Sequence, residues 1–96
     1  MLNENLIGEV VSCATVGGEV VGRLKVVREN GVVLENPCSV IPSSSGDGGL
    51  HPGVCLTGKA NPETAVFYES NIITLVESSD EVKKVWQQAT TGIILQ

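Results

Sequence analysis

The sequence predicts a small, mostly β protein that ends in one amphipathic helix. Three observations carry this reading. The apolar content is 42% of 96 residues and is mostly Val, Ile and Leu, with one Trp, one Tyr and one Phe. Eleven glycines cut it into short runs, the pattern of strands and turns in one domain near the lower size limit for a single core. Residues 9–34 hold three such runs separated by Gly17-Gly18 and Asn30-Gly31, both hairpin signals, and only residues 79–91 place apolar side chains at helical spacing.

The first run, EVVSCATV at 9–16, ends at Gly17-Gly18, which readily supplies the positive φ of a tight hairpin. In the second run Val20, Gly22, Leu24 and Val26 share one parity and should face inward, with Val21, Arg23, Lys25 and Val27 on the other face. Glycine weakens a strand interior, so Gly22 predicts a sharp bend or the close approach of another backbone, as where a small barrel closes. Arg28-Glu29-Asn30-Gly31 then turns the chain into Val32-Val33-Leu34.

Residues 42–63 read as a long loop: SSSGDGG is low in complexity, HPG and KANPE are turn signals, and VCLT at 54–57 is a candidate strand extension. A second β pair follows, AVFYES and IITLVES, divided near Ser70-Asn71. The last strand is apolar on both faces, because only Thr74 interrupts Ile72, Ile73, Leu75 and Val76. Left at an edge it would template uncontrolled pairing, so either the C-terminal helix or the edge of another subunit should cover it.

Ser78 and Glu81 form a capping box, and Val82, Val85, Trp86 and Ala89 recur on one helical face, predicting a helix over 79–91 ended by Gly92. Trp86 reads as the anchor of that helix. The apolar tail Ile93-Ile94-Leu95 should dock rather than remain solvated.

Composition narrows the function. A net charge of −5, with six basic residues, excludes a broad basic surface for nucleic acid and leaves room only for a local patch. The start MLNENLIGEV lacks a basic n-region, and no apolar run approaches a membrane span, so a cytoplasmic protein without membrane contact is expected. Cys13, Cys38 and Cys55 are odd in number and widely spaced, which argues for reduced thiols. Cys38, His51 and Cys55 are a weak zinc alternative to the expectation of no metal and no cofactor, since structural zinc sites draw on closely spaced ligand pairs. No nucleophile–base set, paired-carboxylate motif, P-loop or dinucleotide fingerprint is present, and no enzymatic activity is expected.

Gly17, Val20, Gly22 and Leu24, spaced G-x-x-V-x-G-x-L, together with Leu34 and the late stretch FYESNIITLV, resemble the Sm-like proteins: the LSm proteins of eukaryotes and archaea and the bacterial Hfq branch. VFYESNIITLVES is similar to the closing motif of Hfq, and the resemblance covers residues 6–40 and 64–77. It implies a strongly bent five-stranded antiparallel SH3-like barrel over 6–77, interrupted by a loop at 42–63 and followed by the helix at 79–91 and the tail at 92–96. It further implies a homo-oligomeric ring of five to seven subunits, closed by the fourth strand of one copy on the fifth of the next. Val66, Phe67, Ile72, Ile73, Leu75 and Val76 would lie at that interface.

The resemblance implies single-stranded RNA as the partner, held around a central pore by two loops. In the first, Arg28 stands where the family usually has Asp; Glu29 and Asn30 lie within the loop, and Gly31, or Asn30 if the turn is shorter, takes the place of the family's Asn. The second offers Tyr68, Glu69, Ser70 and Asn71 where the family has a basic or polar group. Tyr68 could stack on a base, Asn30 and Asn71 could read a base edge, and Arg28 could meet phosphate, whereas Glu29 and Glu69 would repel it. Arg28 is otherwise a solvated turn residue, and Tyr68 an interface side chain. Two functions stay open: an RNA-binding ring, and a ring-shaped assembly scaffold whose RNA pockets have eroded.

Overall fold

The computed structural model describes residues 4–41, 49–55 and 57–94, with side chains through Thr90. After a 3-10 turn at Glu4–Leu6 the chain forms β1 (Val10–Thr15), β2 (Gly18–Arg28), β3 (Gly31–Ile41), β4 (Gly49–Pro52), β5 (Thr64–Tyr68), a second 3-10 turn at Glu69–Asn71, β6 (Ile72–Glu77) and α1 (Asp80–Ile94). The strands make one antiparallel sheet in the order β4-β3-β2-β1-β6, with β5 added to the first half of β3. Among the described residues the strands are therefore six, not five, and the sheet they form does not close into a barrel. β5 and β6 pair not with each other but with β3 and β1 respectively.

The sixth strand, β4, comes from the segment expected to be loop: Gly49–His51 pair with Ser39–Ile41. Residues 54, 55 and 57 of VCLT are outside any strand, and residue 56 lies outside the described residues, as does 42–48.

Two bulges shape β2 and β3. Between the pairs Val21↔Cys38 and Arg23↔Glu35, Gly22 faces the two residues Asn36 and Pro37. A Cβ on Gly22 would lie 3.0 Å from the Glu35 carbonyl oxygen and 3.1 Å from the Leu34 Cβ, so the expected close backbone approach is present. Asn36 takes the extra residue in the left-handed region, φ 47°, which Asn tolerates better than most side chains. The second bulge is Lys25, between Leu24↔Leu34 and Val26↔Val33. It flips the parity that a strict period of two predicts, so Val27, not Val26, packs against the central core.

The hairpin between β2 and β3 turns through Glu29-Asn30, with Arg28 paired to Gly31. Gly31 does not supply positive φ. It is needed because a Cβ there would overlap the Phe67 carbonyl oxygen of β5. In the first hairpin Gly18 alone of the glycine pair has positive φ, 138°.

Each face of the bent sheet carries a buried cluster. Val11, Cys13, Val20, Leu24, Val32, Leu34 and Leu75 form the central core, with Phe67 and Ile72 packed against it, so strands β1, β2, β3, β5 and β6 all curl around one apolar cluster. On the opposite face Val10, Val21 and Cys38 meet Trp86, which is 3% exposed, under α1. The indole N–H donates to the Asn36 carbonyl at 2.9 Å, and the Asn36 N–H donates to the Glu63 carbonyl at 2.8 Å. The helix is thereby fastened to the bend.

The helix begins at Asp80, and its cap is Ser79, whose hydroxyl accepts the Val82 N–H at 3.3 Å. The predicted Ser78 capping box does not form, because Ser78 is buried and its hydroxyl is bonded to that of Ser12 at 2.8 Å. Gly92 does not end the helix, which runs to Ile94; residues 95–96 of the tail lie outside the described residues. Lys83 ties α1 to the sheet through Glu77 and through Glu9 at 3.3 Å. Those carboxylates, the Glu77 hydrogen bond foremost, raise the Lys83 pKa.

Candidate functional site

Three turns meet at one end of the sheet. The 3-10 turn 69–71 bridges β5 to β6, and its backbone is bonded to both hairpin tips: the Glu69 N–H donates to the Asn30 carbonyl at 2.8 Å, and the Val16 N–H donates to the Asn71 carbonyl at 3.0 Å. Thr15 stiffens the first tip, accepting the Gly17 N–H at 3.2 Å and donating to the Gly18 carbonyl at 2.7 Å. The two segments singled out in the sequence, 28–31 and 68–71, are therefore one surface. An open concavity there is lined by Glu29, Asn30, Tyr68, Glu69, Ser70 and Asn71.

Tyr68 ends β5 with its residue surface 54% exposed, and Asn30, Ser70 and Asn71 are exposed beside it. Gly31 is buried and offers no side chain. Arg28 ends β2 and borders a neighbouring cleft of about 330 Å³, whose apolar wall includes Val27, Val32, Ile72 and Leu75 and whose rim carries Glu29 and Glu69. The set thus combines a flat ring, three carboxamide or hydroxyl side chains and one guanidinium with two carboxylates. The Val16-Gly17 tip is a part of this surface that sequence reasoning missed. Gly17-Gly18 marks it only as a hairpin, and the pairing of β1 with β6, Thr15 opposite Ile72, brings it beside Asn71.

Of the predicted interface residues, Phe67 and Leu75 belong to the chain's own core. Val66, at 46%, and Ile73 and Val76, at 70% and 52%, are exposed along β5 and β6, while Ile72 is half-buried. Among the described residues β5 has a strand on one side only, and so does β6. Helix α1 packs chiefly against β4 and the second core, leaving Ile73 and Val76 uncovered.

Among the described residues no three of His, Cys, Asp and Glu gather where they could hold a metal ion. Cys38 is buried with its thiol toward the Asn36 carbonyl at 3.6 Å, and burial pushes its pKa up to about 11, away from a metal-binding thiolate. His51 and Cys55 are exposed. No helix among the described residues is long and apolar enough to cross a membrane. No protein-family model matches the chain, and no curated protein matches it in sequence.

Proposed function

We propose that this chain assembles head to tail into a closed Sm-like ring whose turn surface binds single-stranded RNA. The observation that carries the reading is the convergence of Asn30, Tyr68, Ser70 and Asn71 on one concavity, with Arg28 on the adjoining cleft. An exposed ring stacks on any base and contributes about 1–3 kcal/mol, the carboxamides read base edges, and the guanidinium meets phosphate. Two open edges support the ring. β5 and β6 are different strands with exposed apolar rows, so pairing one to the other is heterologous and closes when the rotation per subunit divides a full turn.

Glu29 and Glu69 on the same surface favour a second reading, an assembly module with the same ring and no RNA. Native mass spectrometry tests the architecture: one closed oligomer is expected, collapsing to monomer in Ile73→Lys. A compact wild-type monomer at micromolar concentration would remove both readings. Fluorescence polarisation with short U-rich and A-rich oligonucleotides at two salt concentrations separates them. Salt-dependent binding weakened by Arg28→Ala and Tyr68→Ala supports the first, and an oligomer that binds nothing at low salt supports the second.

A further inference from the structure

Half of the chain's six basic residues, Arg23, Lys25 and Arg28, stand within six positions on β2. By simple alternation Arg28 should lie on the face opposite to Arg23 and Lys25. The Lys25 bulge changes this. Arg23 lies on the helix side of the sheet, its guanidinium 5.1 Å from the centre of the Trp86 ring. Beyond the bulge Val27 points into the central core, so Arg28 returns to the same side as Arg23, and the bulged Lys25 is exposed between them.

None of the three has an ion pair within the described residues, although Glu35 sits in register with Arg23 and Glu29 follows Arg28. Past Leu24 this part of β2 has a strand on its β3 side only, since the pairing with β1 ends at Val10↔Arg23. The chain as a whole carries −5, so a run of three cations without ion-pair partners along about 17 Å of strand is a local reversal of sign.

We propose that the outer face of β2 is a track for the phosphodiester backbone of single-stranded RNA, leading away from the turn surface through Arg28, Lys25 and Arg23. This rests on the RNA reading and extends it to residues outside the turns. Lys25 acts as a point charge on a flexible stem; Arg23 offers a planar fork held by the indole beneath it, whose donors have no other partner among the described residues. Contacts of this kind carry no sequence information and set the salt dependence.

The test compares wild type, Lys25→Gln and the double variant Arg23→Gln/Lys25→Gln on U-rich oligonucleotides of about six and about eighteen nucleotides. Each lost phosphate contact should flatten the slope of log K against log salt by about 0.7, so the double variant should lose about 1.4 on the longer oligonucleotide and little on the shorter. The same loss is expected for A-rich RNA. Lys25 is exposed and has no hydrogen-bond or ion-pair partner among the described residues, so the single variant keeps the inference testable if Arg23→Gln disturbs the helix. A slope unchanged in both variants overturns the track while the turn site stands. Wild type that binds neither length overturns the RNA reading and the track together.

Discussion

Each face of the sheet carries a buried cluster, held by different means. The inner core is shared: four strands contribute aliphatic side chains and one thiol, and β5 adds the Phe67 ring. The outer face depends on one aromatic residue, whose indole is bonded to Asn36 and capped by Arg23, and on the Lys83 clamp at the helix start. A core shared by many strands fails only with the whole sheet. A core supplied by one helix can open while the sheet persists. The turn surface belongs to the inner unit, because the bonds that assemble it run between hairpin tips and the 69–71 turn, not through α1.

The inner core therefore gives the largest effect. Leu24 is fully buried, and Leu24→Ala should cost about 2–5 kcal/mol, lowering the urea midpoint for far-UV and Trp86 fluorescence signals together. Loss of the Trp86 signal alone, with the sheet intact, would show that the inner cluster is not what binds the strands.

How much of this was legible follows from what a period can encode. Val20, Gly22 and Leu24 were readable as inward because alternation along β2 holds up to the Lys25 bulge, and Gly22 announced the bend by being costly anywhere else. Val27 and Arg28 were not, because the Lys25 bulge shifts parity by one residue and the sequence VVGRLKVVR gives no sign of it. The Ser78 cap failed for a similar reason: Ser78 and Ser79 are both adequate caps, and burial of Ser78 against Ser12 decides between them. At the site, segments 28–31 and 68–71 were singled out by the Asn30-Gly31 turn signal and by the resemblance, and neither says that the two share one surface. The Val16-Gly17 tip was not singled out, because its membership depends on Val16–Asn71 contact across the sheet.

The next effect isolates the outer face. Trp86→Phe keeps most of the apolar area but removes the donor to Asn36 and weakens the contact with Arg23. A loss of about 1–2 kcal/mol is expected, because the half-buried Asn36 carbonyl loses its indole donor. Hydrogen exchange should show it as faster opening of 80–90 with β1 and β6 amides unchanged. Equal acceleration throughout would mean that the two faces open as one.

The finest distinction uses the thiols, which are placed one to each core with the third outside. Cys13 lies in the inner core, Cys38 in the outer, and Cys55 is exposed. Burial pushes both Cys13 and Cys38 up to about 11. An unfolded thiol loses its proton near 8.5, so the folded state holds protons that the unfolded state has released; the stabilisation is full below about 8.5 and is lost as pH rises through 11. At neutral pH a thiol reagent should therefore modify Cys55 at once and reach the other two only through opening. Opening the helix exposes Cys38 without Cys13, so Cys38 should react roughly tenfold faster, a difference of about 1.4 kcal/mol in opening free energy. Trp86→Phe should widen that ratio and Leu24→Ala should narrow it. Equal rates in all three proteins would mean that the helix never leaves while the sheet remains.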